Sequence, residues 1–253
     1  MTFKHIIFLF IIAQLWACKQ EPYHLTKIKG KTIEITDSLP ADLEIENFIS
    51  PYKKHIQRDL DSVLAFAPQT YSKSDGDLNT AIGNFMADAI YEQANPVFKS
   101  RTGKDIDMVL LNHGGIRSIL SKGNITTRTA YKIMPFENTI VVVALKGKQI
   151  DSLIGYLRHQ KKPHPISKMK LTLNANYEVI NATIKGKQIN SESTYFIATS
   201  DYLYNNGDNM GFFKPNDSLY VLDYKVRNAL IDYFKMTDTI NPVIDDRFIK
   251  INP

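Results

Sequence analysis

Residues 106–120 read IDMVLLNHGGIRSIL, and residues 134–145 read MPFENTIVVVAL. Each pairs a short apolar run with a polar cluster. IDMVLL (106–111) is flanked by polar residues, and TIVVVAL (139–145) is richer in β-branched side chains, so both are expected as buried strands. Between them lies a compact stretch containing Gly and Asn. Upstream, Ile82, Phe85, Met86, Ala89 and Ile90 recur at helical spacing, predicting a helix from Thr80 to about Gln93 with Asn79 as its N-cap. Residues 70–79 form a loop by composition. From about Pro40 to Phe66 the apolar positions Ile45, Phe48, Ile49, Tyr52, Ile56, Leu60, Val63 and Leu64 describe one helical face, with a break expected at Pro51. Downstream, Ile150, Leu153, Ile154 and Leu157 mark a helix after Gly147. KLTLNANYEVINATIKG (170–186) reads as paired strands around Asn174-Ala175-Asn176, TYFIATSDYL (194–203) as a strand entering a polar loop, and residues 219–235 as a last helix. The fold expected is α+β, a mixed sheet flanked by helices.

The chain has 253 residues, 43% hydrophobic and 23% charged, which excludes wholesale disorder. One cysteine excludes an intrachain disulfide scaffold and a Cys-based zinc or iron–sulfur site. The formal charge of +5 is mild, and no basic block marks a nucleic-acid polymer as partner. MTFKHIIFLFIIAQLWACKQ (1–20) has a short basic end, an apolar run too brief to span a bilayer, and small residues before Cys18. Leu15-Trp16-Ala17-Cys18 resembles the lipobox of bacterial lipoproteins. The expectation is a signal peptide over 1–17, a lipid-modified Cys18 anchoring an exported protein to a membrane of the bacterial cell envelope, a tether over 18–38 and one domain over 39–253. Removing 1–17 takes away one basic residue, Lys4, and leaves a formal charge of +4.

Self-sufficient catalytic machinery is not evident. There is no Walker-type phosphate loop, G-x-S-x-G elbow or H-E-x-x-H. Asp75, Asp77 and Asn79 begin like a calcium loop, but Thr80 replaces the turn glycine and Met86 the closing glutamate, so they read as a solvated loop. His159 and His164 lie beside Lys161 and Lys162, which oppose a cation; a helix end or basic surface patch accounts for the pair better.

Three segments carry recognition chemistry. In LNHGGIRSIL (111–120) the glycines allow close backbone approach, and Arg117, where a short helix is expected to begin, suits an anion. In MPFENTIVVV (134–143), Phe136 and Asn138 are two residues apart on extended chain and so share a side: a ring to stack and an amide to bond its edge. In ATSDYLYNNGDNMGFF (198–213), Tyr202 and Asp208 offer a stacking face and a carboxylate for vicinal hydroxyls. Each segment alone is better explained by something plainer: a tight turn with a surface arginine, a core phenylalanine beside a turn asparagine, a polar β-turn.

Together they resemble the C-terminal domain of 5′-nucleotidases, a family related to UDP-sugar hydrolases and 2′,3′-cyclic phosphodiesterases. The family pattern has N-x-G-G-I-R after a strand, then G-x-[IVL]-T, P-F-x-N and a strand of valines, and later an aromatic six positions before the Asp of G-G-D-G. These appear here as Asn112 to Arg117, Gly123 to Thr126, Pro135 to Asn138, and Tyr202 with Asp208. Ile82 to Ala89 is similar to the family's G-N-[LF]-x-A-D-A helix, and the likeness spans roughly residues 45–215.

The resemblance implies that Phe136 and Tyr202 sandwich a nucleobase, Asn112 and Asn138 bond polar atoms near it, Asp208 holds ribose hydroxyls and Arg117 the phosphate. It places no catalytic residue, metal or cofactor in this chain, because in the family hydrolysis belongs to an N-terminal metallophosphatase domain whose D-x-H, G-N-[HD]-[DE] and H-x-H motifs hold two divalent metals. No D-x-H or H-x-H occurs here. Three further departures stand out: SDGDLNTAIGN (74–84) lacks the family's phosphate-binding arginines, with Lys73 the nearest cation; Asn206-Gly207-Asp208-Asn209 replaces G-G-D-G; and His113 fills a position commonly small. The expectation is the specificity half of a split nucleotidase in nucleotide catabolism, its metals carried by a separate metallophosphatase chain. The alternatives are a stand-alone nucleoside- or nucleotide-binding lipoprotein, and a degenerate structural domain.

Overall fold

The computed structural model describes residues 23–36 and 38–251; Cys18 and the expected signal segment lie outside the described residues. The chain divides between Ile49 and Ser50 into two compact units. In the first, residues 23–36 are exposed and without regular structure. Asp42 then opens helix α1 (Leu43–Asp61), its carboxylate accepting from the backbone N–H of Glu44 and Ile45.

The helix expected to reach Phe66 stops at Asp61 and includes Pro51 without a break. Val63, Leu64 and Phe66 instead belong to strand β1 (Val63–Ala67), which pairs antiparallel with β3 (Gly123–Thr126). Helix α2 (Ala81–Thr102) starts one residue later than expected and is longer, ending at Gly103 in left-handed geometry. Its N-cap is Thr80, whose hydroxyl accepts from Gly83 N at 3.2 Å. Asn79, the expected cap, is buried: its amide donates to the carbonyls of Asp245 and Phe248 and accepts from Asn84 Nδ2. The requirement to pair those buried backbone groups outweighs the local capping preference.

Next come β2 (Met108–Leu110), a single 3₁₀ turn over His113–Gly115, β3, helix α3 (Thr127–Ile133), β4 (Thr139–Lys146) and helix α4 (Gly147–Gln160). Short β5 (Ile166–Ser167) precedes the expected pair, β6 (Met169–Leu173) and β7 (Val179–Ile184), with β8 (Lys187–Gln188) beyond. β9 (Thr194–Ser200) leads into the four-residue helix α5 (Asp201–Tyr204). The segment expected as one last helix is split into β10 (Ser218–Lys225) and helix α6 (Val226–Met236), followed by β11 (Phe248–Lys250). Leu219, Tyr220 and Val221 pair with Val143, Val142 and Val141 of β4. That short run fits helical and alternating periods alike, and the free edge of β4 decides between them.

The larger sheet is mixed, with order β10-β4-β9-β2-β5 and only β2 and β9 parallel; a four-stranded sheet runs β11-β6-β7-β8. The mixed sheets flanked by helices are those expected. Alternation along the central strands explains the unbroken apolar run in β4. Ile140 and Val142 face one core with α2 and α6, while Val141, Val143 and Leu145 face the other with α4 and β6. Each fully buried Val, Leu or Ile stabilises the fold by roughly 1.5–3 kcal/mol, so a sheet covered on both faces is a rigid base for the loops at its edge.

Candidate functional site

Three neighbouring strands bring the site together. β2 runs parallel to β9 and β4 antiparallel to it, so the chain leaves β2 and β9, and enters β4, at one edge of the sheet. Asn112 follows β2, Phe136 and Asn138 precede β4, and Tyr202 follows β9. The loop after α5 adds Asp208. All six residues expected from the sequence, Asn112, Arg117, Phe136, Asn138, Tyr202 and Asp208, line one cleft of about 270 Å³ with Gly114 and Gly115. A wider space of about 650 Å³ shares Asn138, Tyr202 and Asp208 with it and continues over Asn205 to Asn209. Together these spaces are of the size that holds a small organic ligand.

Asp208 is the best-anchored member. Its Oδ2 accepts from Asn112 Nδ2 at 2.8 Å, and its Oδ1 from Tyr202 OH at 3.1 Å. The Tyr156 hydroxyl, on α4, donates to its backbone carbonyl at 2.9 Å. The loop takes left-handed geometry at Asn206 (φ 72°), Asp208 (φ 50°) and Asn209 (φ 60°). Asn and Asp tolerate that region better than most residues, which is how Asn206 and Asn209 stand where the family carries glycine. Gly207 is required for another reason: a Cβ there would lie 2.4 Å from Cε1 of Tyr202. Across the cleft, a Cβ on Gly115 would sit 2.7 Å from Asn112 Oδ1. Both glycines therefore let backbone pack directly against a side chain that holds Asp208.

The two rings stay accessible, with Phe136 40% and Tyr202 46% exposed. The Arg117 guanidinium lies over the Phe136 ring, 5.8 Å from its centroid, in cation–π range. No helix begins at Arg117 as the sequence suggested. A 3₁₀ turn precedes it, and the N–H groups of Gly115, Ile116 and Arg117 are spent on the carbonyls of Asn112, His113 and Ile133. The turn takes up the first two and the end of α3 the third, so these three N–H groups are not free for an anion and the Arg117 side chain is the charged donor in the cleft lining.

Beneath the site the structure corrects the expectation for His164. It is not part of a surface patch: it is 3% exposed, packs against the Tyr156 ring at 5.4 Å, and its Nδ1 accepts from the backbone N–H of His113 at 3.3 Å. Burial holds its pKa down to about 4, so the ring is neutral at pH 7. His113 is shifted downward too, by burial first and then by Lys73 and Lys162. Burial, followed by the charge of Asp208, raises the Tyr156 hydroxyl to about 12, keeping it a donor. Sequence reasoning missed Tyr156 and His164 as supports. The only local signal was the rigid frame Pro163-His164-Pro165. His159 does lie in the last turn of α4, as expected for a helix end.

A resident dimetal centre does not fit this donor set. Among the described residues no three His, Cys, Asp or Glu side chains gather to hold a metal, and both Asp208 oxygens already accept hydrogen bonds.

The sequence pattern of the family described as 5′-nucleotidase, C-terminal domain, matches residues 60–215. Apyrase from Tabanus yao is 25% identical over 248 residues, covering 87% of this chain and 44% of that protein. Cell wall protein Lmo0130 from Listeria monocytogenes is 28% identical over 188 residues, covering 68% of this chain and 23% of that protein. Among solved structures, a 5′-nucleotidase precursor from Thermus thermophilus superimposes with a TM-score of 0.68 at 21% identity, covering 85% of this chain and 44% of that one. The chain thus spans less than half the length of these relatives. The pattern match covers more than half of the sequence, and the fold is that of the Thermus thermophilus structure: the chain belongs to the 5′-nucleotidase C-terminal domain family.

Proposed function

We propose that this chain is the nucleotide- or nucleoside-binding specificity half of a split 5′-nucleotidase-type phosphoric monoester hydrolase. The observation that carries the reading is the convergence of six residues from three distant segments on one cleft around a fixed carboxylate. Phe136 and Tyr202 take the base between them. Stacking is tolerant of base identity and contributes roughly 1–3 kcal/mol per contact, which suits a broad substrate range. Asn138 and Asn112 Oδ1 bond polar atoms near the base, while Asn112 Nδ2 keeps Asp208 aimed at the ribose hydroxyls. Arg117 takes the phosphate side.

The dimetal chemistry that activates water is assigned to a separate metallophosphatase chain, with nucleotide catabolism as the setting. This chain's own part is to bind and orient the substrate. Cys18 is proposed as a lipid anchor in the bacterial cell envelope; among the described residues no helix is long and apolar enough to cross a membrane.

The test is release of phosphate from AMP with divalent metal, by the chain alone and mixed with a metallophosphatase encoded beside it. Hydrolysis only in the mixture supports the reading. Hydrolysis by the pure chain, or none in the mixture, overturns it. A second reading is a stand-alone nucleoside- or nucleotide-binding lipoprotein without catalysis, and its nucleoside form is favoured by Arg117 being the one cation of the cleft lining. Calorimetry showing adenosine bound at least as tightly as AMP, with no partner recovered, selects it.

A further inference from the structure

The segment that presents Phe136 and Asn138 is gripped from one side by three consecutive residues. Arg227 Nη1 donates to the carbonyls of Pro135 and Phe136 at 3.2 and 3.3 Å. Lys225 Nζ donates to the carbonyl of Glu137 at 3.4 Å, and the Val226 backbone N–H to that of Asn138 at 3.0 Å. So the carbonyls of Pro135, Phe136, Glu137 and Asn138 all end on the Lys225-Val226-Arg227 junction between β10 and α6. These three residues lie beyond the matched span 60–215.

Arg227 is the unusual member. It is a charged residue 4% exposed, and a buried charge is costly unless it is compensated. Its compensation comes from that segment, through the two carbonyls and the Glu137 carboxylate bonded to Nη2, and from the Tyr131 ring of α3, 4.0 Å from Cζ, while Nε is buried without a partner. Glu137 also pairs with Lys225 at 2.6 Å, and Lys225 and then Arg227 bring its carboxyl down to about 2. A planar fork that bonds two successive carbonyls and a carboxylate fixes the direction of the chain; a lysine, with one nitrogen, does not. An aromatic on an exposed turn has no such constraint of its own.

We propose that Arg227 is the positioning residue that aims Phe136 and Asn138 into the cleft and thereby sets its affinity for the base, an inference that rests on the nucleoside reading of that cleft. It touches no ligand and acts through the backbone of the segment it holds.

The test compares the full chain with Arg227→Gln and Arg227→Lys. Arg227→Gln is expected to raise amide hydrogen exchange in peptides covering residues 134–139 while leaving residues 206–209 at the rate of the unaltered protein. It is expected to weaken adenosine binding roughly tenfold, the scale of one misaligned stacking contact. Arg227→Lys falls between. In a Phe136→Ala/Asn138→Ala background, Arg227→Gln costs less than about twofold, because neither of the side chains it aims is left; a role in general stability would cost the same in both backgrounds. Unchanged exchange over 134–139, or fully additive losses, overturns the proposal. If the unaltered protein binds no adenosine, the nucleoside reading fails with the affinity half of this inference, and the exchange comparison alone decides the positioning. Should Arg227→Gln not fold, Arg227→Lys and Glu137→Gln carry the same comparison.

Discussion

Asn112 Nδ2 donates to Asp208 Oδ2 at 2.8 Å, joining positions 96 residues apart in the chain. The sequence motifs single out both residues, and both line the cleft; the bond between them has no sequence signal. It makes Asn112 a support for the carboxylate as well as a lining residue. A hydrogen bond to a charged group contributes about 1.5–3 kcal/mol, so Asn112→Ala should lower adenosine affinity roughly tenfold. Asp208→Ala should cost at least as much, and the double variant less than the sum. Calorimetric cycles check this; strict additivity would show that the two side chains act independently.

Gly207 backs directly onto the Tyr202 ring, where an added Cβ would lie 2.4 Å from Cε1. Gly207→Ala must displace the ring and with it the 3.1 Å bond to Asp208. Overpacking of this kind costs typically about 1–3 kcal/mol. A loss of nucleoside affinity larger than the loss of folding stability is expected, read by calorimetry beside urea unfolding. Gly114, whose added Cβ would stay 3.4 Å from its nearest neighbour, is the control, and Gly114→Ala should be milder.

Arg117 is the cation of the cleft lining. Arg117→Ala should weaken AMP by roughly tenfold and adenosine by much less, since a charge-assisted bond to phosphate is lost only with the first ligand. Equal losses for the two ligands would place Arg117 on the base side, through its contact with Phe136.

His164 connects the site to pH. Its folded pKa, about 4, lies below the ordinary value of 6.5. Between those values the unfolded chain binds the extra proton, so stability rises with pH across this window. The contribution of the neutral ring is complete above about pH 6.5 and is lost as the pH falls toward 4, on the order of 3 kcal/mol in all. Urea unfolding between pH 4 and 7 should show a slope that flattens in His164→Asn. An unaltered slope in that variant would assign the acid sensitivity to other groups.

How far the sequence carries varies along the chain. The long buried elements were plain, because an apolar run such as 139–145 has only one stable place, between two packed layers. Residues 219–225 suit a helix as well as a strand because seven residues satisfy both periods, and pairing with β4 decides the matter from outside the segment. Asn79 suits a cap by local sequence, but its partners, Asp245 and Phe248, are more than 160 residues away and leave no local signal. For His164 the sequence points to a helix end or a basic surface patch, because neighbouring lysines say nothing about what packs above it.

By itself the sequence carried the family, the mixed α+β architecture and the six residues that line the cleft, since motif types and spacings are legible once the three segments are taken together. The tertiary structure alone decided what holds those residues: Asn112 and Tyr202 on the two oxygens of Asp208, Tyr156 on its carbonyl, and Arg227 on the segment carrying Phe136. Hydrogen bonds between distant segments leave no local pattern. They exist only once parallel β2 and β9, with antiparallel β4, bring three chain exits to one edge of the sheet.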